Sequence, residues 1–99
     1  MKSRTTARFR WSLTQLPRTV QRQARAAYTQ FKEDPRHPGL RFKKVHPSKP
    51  IYSVRVCLGY RALGVLQDDV VIWFWIGSHA DYDRLLSKGA SENSAGESA

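Results

Sequence analysis

The run Val70-Val71-Ile72-Trp73-Phe74-Trp75-Ile76 is apolar at every position and constrains the fold more than any other feature of the chain. It has the length of a strand and is too short to span a bilayer, which takes about 18 apolar residues or more. Apolar on both faces, it is expected to be a central strand covered from both sides. Two further strands lead into it. Residues 51–58 alternate, with Tyr52, Val54 and Val56 opposite Ser53, Arg55 and Cys57. Gly59-Tyr60 makes a tight connection, residues 60–66 form the next strand, and Gln67-Asp68-Asp69 turns the chain into the apolar run. Links this short join antiparallel neighbours, so the three strands are expected to form a meander.

The first half of the chain mixes periods. In residues 7–13, Phe9, Trp11 and Leu13 alternate with Arg8, Arg10 and Ser12, a period of two that fits a half-buried strand or an extended arm. Leu16, Val20, Ala24, Ala27 and Phe31, with Tyr28 beside them, recur at helical spacing and mark the apolar stripe of one amphipathic helix. Thr14 and Pro17 suit its first turn, and Asp34-Pro35 stops it, because the residue before proline avoids the α region. Its other face carries Arg18, Arg22, Arg25 and Lys32, which reads as a solvated face or as a rail for phosphates. After the turn Asp34-Pro35-Arg36-His37-Pro38-Gly39, residues 40–45 are expected to form a short strand or arm, and His46-Pro47-Ser48-Lys49-Pro50 another turn.

Residues 80–86 are expected to close the domain with a short helix. Residues 87–99 contain no large apolar side chain and are expected to be disordered. The pattern is α+β: an N-terminal strand and helix, or a helical hairpin, packed on one face of a mostly antiparallel sheet with a three-stranded meander and a short C-terminal helix. One domain over residues 1–86 accounts for it, and a chain of 99 residues has room for one core.

Charge narrows the function. Lys and Arg number 17 against 8 Asp and Glu, a formal net charge of +9. The first 50 residues carry 13 basic and 2 acidic side chains, whereas the remainder carry 4 and 6. That asymmetry points to a polyanionic partner, a nucleic acid or an acidic protein. Arg41, Lys43 and Lys44, extended by His46 and Lys49, are the candidate RNA-binding residues. No apolar segment follows the basic start Met1-Lys2-Ser3-Arg4, so neither a secretory signal nor a membrane partner is expected, and a cytoplasmic location is. Cys57 is the one cysteine, which rules out an internal disulfide, and it is expected to be a buried, inert thiol.

Paired-Cys zinc spacing, a Gly-rich phosphate loop and a G-x-S-x-G elbow are all missing from the sequence, and no cofactor or metal is expected. Gly77-Ser78-His79-Ala80-Asp81-Tyr82-Asp83 directly follows the apolar strand. A side chain at a strand end is fixed by the sheet yet reaches solvent, and a histidine there suits proton transfer. Tyr82, one turn on, could stack a base or share a proton. A plain helix cap at Ser78 with an exposed His79 is the alternative. Arg55 and Arg61 flank the link between the first two meander strands and can converge on one spot, where two guanidinium groups would hold a phosphate. Together with His79 and Tyr82 they form a set suited to RNA cleavage without metal: a base deprotonates the 2′-OH, arginines steady the phosphorane, and an acid protonates the leaving 5′-oxygen.

Several stretches resemble the RelE/ParE toxins. These are Leu16-Pro17, Asp34-Pro35-Arg36-His37-Pro38-Gly39-Leu40-Arg41-Phe42-Lys43, Tyr52-Ser53-Val54-Arg55, Tyr60-Arg61-Ala62-Leu63, and the ending Trp75-Ile76-Gly77-Ser78-His79-Ala80-Asp81-Tyr82-Asp83, which is similar to the Gly-Thr/Ser-His ending of the YafQ-like branch. The match spans roughly residues 8–86. The resemblance implies a toxin of a type II toxin–antitoxin system that cleaves mRNA on the ribosome without metal and is neutralised by a cognate antitoxin. By position it assigns Arg61 to the scissile phosphate, Arg55 to a supporting basic role, His79 to the catalytic histidine and Tyr82 to an aromatic near it. Two positions depart from the pattern. Trp75 stands where the YafQ-like branch has an arginine, and Ser53 where RelE has a basic residue. The ParE branch shares the fold without the nuclease residues and inhibits DNA gyrase, which is the alternative function. A basic nucleic-acid-binding module without catalysis is a third.

Overall fold

The computed structural model describes residues 1–96. The chain runs β1 (Lys2–Thr5), α1 (Ala7–Thr14), α2 (Arg18–Glu33), a 3-10 turn (Pro38–Leu40), β2 (Lys43–Lys44), β3 (Ile51–Cys57), β4 (Tyr60–Gln67), β5 (Val70–Ser78) and α3 (His79–Gly96). One sheet of five strands has the order β1-β5-β4-β3-β2. The meander β3-β4-β5 is antiparallel as expected, and β2 adds antiparallel to β3. The β4–β5 turn places Asp68 and Asp69 in the left-handed region, at φ 52° and 64°. Two consecutive residues with positive φ match the twist of a tight hairpin, and aspartate tolerates that region better than most side chains.

Three sequence expectations are corrected. Residues 7–13 are not extended: Ala7–Thr14 is helical. Thr6 caps it, its hydroxyl accepting from the Phe9 backbone N–H at 3.0 Å. The helix turns Phe9 and Leu13, four residues apart, towards the core and leaves Trp11 65% exposed. The strand instead lies earlier, at β1, which pairs parallel to β5 over residues 70–73. Its sequence is polar. Side chains from elsewhere hold it: the Trp73 indole N–H donates to Ser3 Oγ at 2.7 Å, and the Tyr28 hydroxyl donates to the Ser3 carbonyl at 2.9 Å. That pairing makes the apolar strand β5 an interior strand, though not the middle one. It lies between β1 and β4, and β4 occupies the middle.

Smaller differences follow. Strand β2 is only Lys43–Lys44, because Leu40 closes the 3-10 turn and Arg41 takes a left-handed φ of 48°. Cys57 is half-buried rather than buried. Helix α3 starts at His79 and continues beyond Leu86, through the segment expected to be unstructured, to Gly96. Residues 97–99, part of that expected tail, lie outside the described residues.

The helical hairpin α1–α2 covers one sheet face. Val20, Ala24 and Phe31 of α2 are buried, with Leu16, Ala27 and Tyr28 packed partly against the core. Phe31, 1% exposed, meets Phe42 and Trp73 edge-on, with ring centroids 4.9 and 5.2 Å apart. Such pairs add to the stabilisation that area burial gives.

Strand β5 contains one bulge. Leu63 pairs with Trp75 but the next residue, Gly64, pairs with Trp73, leaving Phe74 as the extra residue. Val71 and Trp73 therefore face the helical hairpin before the bulge and Ile76 after it. Trp75 is sent to the opposite face, beside Leu63.

Candidate active site

The sheet face turned away from α1–α2 carries the candidate residues. Val54 and Ala62 pair with each other and belong to the core, so their neighbours Arg55 and Arg61 point to the other side. Arg55 and Arg61 are themselves directly opposite, and Arg61 is in turn opposite Gly77. Directly opposed like charges repel. The Arg61 guanidinium is eased below its ordinary pKa by burial first, then by Arg55 and, more weakly, by Arg41, with Tyr82 acting in the reverse sense. It remains cationic, as arginine does throughout the physiological range. Among the described residues, no carboxylate contributes to this balance.

Arg61 is also a turn residue. Its Nη1 donates to the carbonyls of Cys57 at 2.8 Å, Tyr60 at 2.9 Å and Leu58 at 3.3 Å. The β3–β4 turn thereby fixes one edge of the guanidinium, and the remaining N–H groups are left for an anion.

His79 opens α3 directly after β5. Its backbone N–H donates to Gly59 O at 2.8 Å, which ties it to the same turn that Arg61 holds. The imidazole Nδ1 lies 3.1 Å from Asp83 Oδ2, and the His79 side chain is 47% exposed. With Nδ1 engaged, Nε2 is the nitrogen turned to an incoming ligand. Asp83 was missed by sequence reasoning, although the four-residue spacing on a helix could have found it.

Tyr82 occupies a different environment from the one expected. It is 6% exposed, and its hydroxyl donates to Ser53 Oγ, itself 2% exposed, at 3.1 Å. The ring is thus not open for stacking. It anchors α3 on the sheet beside Arg61, with the His79 ring centroid 5.8 Å away. Ser53, noted in the sequence only for replacing a basic residue, is the polar partner that fixes this anchor.

The expected RNA-binding residues divide. Arg41 comes close enough to act on Arg61. Lys43 is opposite Ser53 and so belongs to the same face as Arg55, whereas Lys44 is opposite Tyr52 and belongs to the other. Lys49 and His46 lie in the 45–50 loop, where His46 Nδ1 accepts from the backbone N–H groups of Ser48 at 3.1 Å and Lys49 at 2.9 Å. His46 therefore shapes the loop. Among the described residues, no three His, Cys, Asp or Glu side chains are grouped to hold a metal ion. No helix among them is long and apolar enough to cross a membrane.

A row of arginines beside a half-exposed histidine can bind an anion and move a proton next to it. Comparison with solved structures finds the same fold elsewhere. YafQ from E. coli is similar with a TM-score of 0.65 at 12% identity, over 82% of this chain and 96% of that one. The RelB-RelE antitoxin–toxin complex from Methanococcus jannaschii gives 0.66 at 16% identity, with the same coverage of 82% and 96%. A RelBE toxin–antitoxin complex from Mycobacterium tuberculosis gives 0.56 at 23% identity, over 79% and 96%. No protein of curated function matches the sequence. The model of the ParE-like toxin domain matches residues 18–84, more than half of the 99 residues. The chain belongs to this family of ParE-like toxin domains, within the RelE/ParE superfamily of toxins.

Proposed function

We propose that residues 1–86 form the toxin of a type II toxin–antitoxin pair and act as a metal-independent endoribonuclease on mRNA at the ribosome. The observation that carries this reading is the directly opposed pair Arg55 and Arg61, joined by Arg41, with no carboxylate among the described residues acting on Arg61. Such a row is costly in the free protein and suits a phosphate that arrives from outside. His79 Nε2 takes the proton from the ribose 2′-OH. The 2′-oxygen attacks phosphorus, the arginines stabilise the dianionic phosphorane, and the P–O5′ bond breaks to leave a 2′,3′-cyclic phosphate. The leaving 5′-oxygen receives a proton from water or a ribosomal group. Asp83 holds the imidazole, and Tyr82 and Ser53 hold the helix that carries it. The cognate antitoxin is expected to present an acidic or amphipathic segment to the basic first half of the chain.

The test is induction of wild type, His79→Ala and Arg55→Ala in cells, with mRNA 5′ ends and plasmid supercoiling followed in parallel. Wild type should cleave mRNA. Each variant should lose on the order of 10²-fold or more in cleavage while still folding and binding the antitoxin. Intact mRNA after wild-type induction would refute the nuclease. A second reading, inhibition of DNA gyrase, is favoured by the ParE-like family match. It predicts altered supercoiling with mRNA spared, and toxicity that survives His79→Ala.

A further inference from the structure

Beside the arginine row lies a groove of about 630 Å³, a volume in the range of small-ligand sites. Its aromatic walls are Trp11 of α1, Tyr60 of β4 and Trp75 of β5, and its polar lining includes Ser12, Gln15 and Arg84. Two features of these walls are unusual. Trp11 is 65% exposed, a large apolar surface left in water. Trp75 lies down on the sheet: a Cβ at Gly77 would sit 2.7 Å from its Cζ2 and 2.8 Å from its Cη2, so only glycine allows the indole to rest there.

Register gives the groove its meaning. Gly77, under the indole, is opposite Arg61, and Arg61 is opposite Arg55. An aromatic plane and two guanidinium groups therefore stand on three adjacent strands, on one face, at steps of roughly 4.8 Å. Single-stranded RNA offers the complementary order, a flat base joined to a phosphate. Proteins that bind it stack bases on aromatic rings and track the backbone with cations. The amide of Gln15 and the hydroxyl of Ser12 line the groove as hydrogen-bonding groups for the edge of a base, while the Asp81 carboxylate there is held by Arg84.

We propose that this groove is a nucleobase subsite, taking the base adjacent to the phosphate on Arg61 against the indoles of Trp75 and Trp11. The inference rests on the reading of this face as an RNA site and assigns it a substrate subsite. Trp11 is the residue to change. Its side chain is exposed on a helix anchored by Phe9 and Leu13, so substitution spares the core.

The probe is a short single-stranded RNA with every ribose 2′-O-methylated, which blocks attack and isolates binding. It is paired with versions made abasic at one position at a time. Trp11→Ala should weaken binding by about 5- to 150-fold, the range of base–aromatic stacking, and Trp11→Phe should largely restore it. One abasic position should weaken wild type to a similar degree and add little to Trp11→Ala. The subsite alone is overturned if RNA binds in an Arg55-dependent manner but Trp11→Ala binds equally well, or if its loss is the same for every abasic strand. If wild type binds no RNA at all, the RNA reading of the face falls, and the subsite with it.

Discussion

Changing Tyr82 to Phe tests whether this residue anchors the site or takes part in chemistry. The substitution keeps the buried ring and removes only the hydroxyl that donates to Ser53 Oγ at 3.1 Å. Ser53 is 2% exposed, so water cannot easily replace the lost donor. Leaving one partner of a buried hydrogen bond unsatisfied costs about 1–3 kcal/mol. Against a total stability of about 5–15 kcal/mol for a small domain, that is a large fraction. At about 4–8 °C per kcal/mol, the Tm should fall by on the order of 10 °C. Ser53→Ala should also destabilise, whereas the double variant removes both partners. Its loss should fall well short of the sum of the single losses, with a coupling of about 1–2 kcal/mol. Urea unfolding of the four proteins, with unchanged m, measures this cycle. RNA cleavage by folded Tyr82→Phe should match wild type. Additive single losses would refute the buried pair. Full stability with lost cleavage would make the hydroxyl a catalytic group and refute the anchoring role.

Two other outcomes follow from packing and charge. Gly64→Ala would put a Cβ 2.6 Å from Val71 Cγ1 and 2.7 Å from Trp73 Cε3, and overpacking of this kind should destabilise by about 1–3 kcal/mol, read from the urea midpoint; a midpoint at or above wild type would contradict the close fit. Asp81 is held below the usual carboxylate range, first by the Arg84 side chain and then by the Ser78 hydroxyl. A depressed carboxyl contributes stability above its unfolded pKa and loses it as pH falls through the folded one, so Asp81→Asn should flatten the acid limb of a stability–pH curve and leave its alkaline side unchanged. An acid limb identical to wild type would exclude any such contribution.

How far the sequence could be read depended on whether local pattern or distant pairing decided the outcome. The meander was legible because alternation in residues 51–58 and two tight links leave few other arrangements. Strand β1 was not, because Lys2-Ser3-Arg4-Thr5 has no apolar residue. Its place comes from Trp73 and Tyr28, far along the chain, binding Ser3. The expectation that β5 is central came from its unbroken apolar run; it is β1 that gives β5 a neighbour on each side, while β4 holds the middle of the five. In α1, Phe9, Trp11 and Leu13 fit an alternating strand, and only the cap at Thr6 favours a helix in which Trp11 leaves the apolar face. In the site, Arg55 and Arg61 were legible as a pair because alternation on both sides of a tight link puts them on one face. The orientation of Tyr82 was not, because a short helix does not reveal which side meets the sheet. Asp83 stood at readable helical spacing from His79, and that spacing was the available signal for the pair.

The extra residue at Phe74 lets a single strand serve two clients. A strand with unbroken alternation has one phase, and all its inward residues go to the same neighbour. Phe74 shifts the phase once, so the strand gives Val71 and Trp73 to the helical hairpin, hands Trp75 to the arginine face, and still returns Ile76 to the core. This is why a run apolar at every position need not be buried on both sides. Were Phe74 drawn into an unbroken alternation, Trp75 would turn to the face of Val71 and Trp73 and Ile76 to the arginine face, whereas deleting Phe74 outright would leave both on their present sides. The phase of this strand, and not only its composition, determines which face of the sheet can meet a ligand.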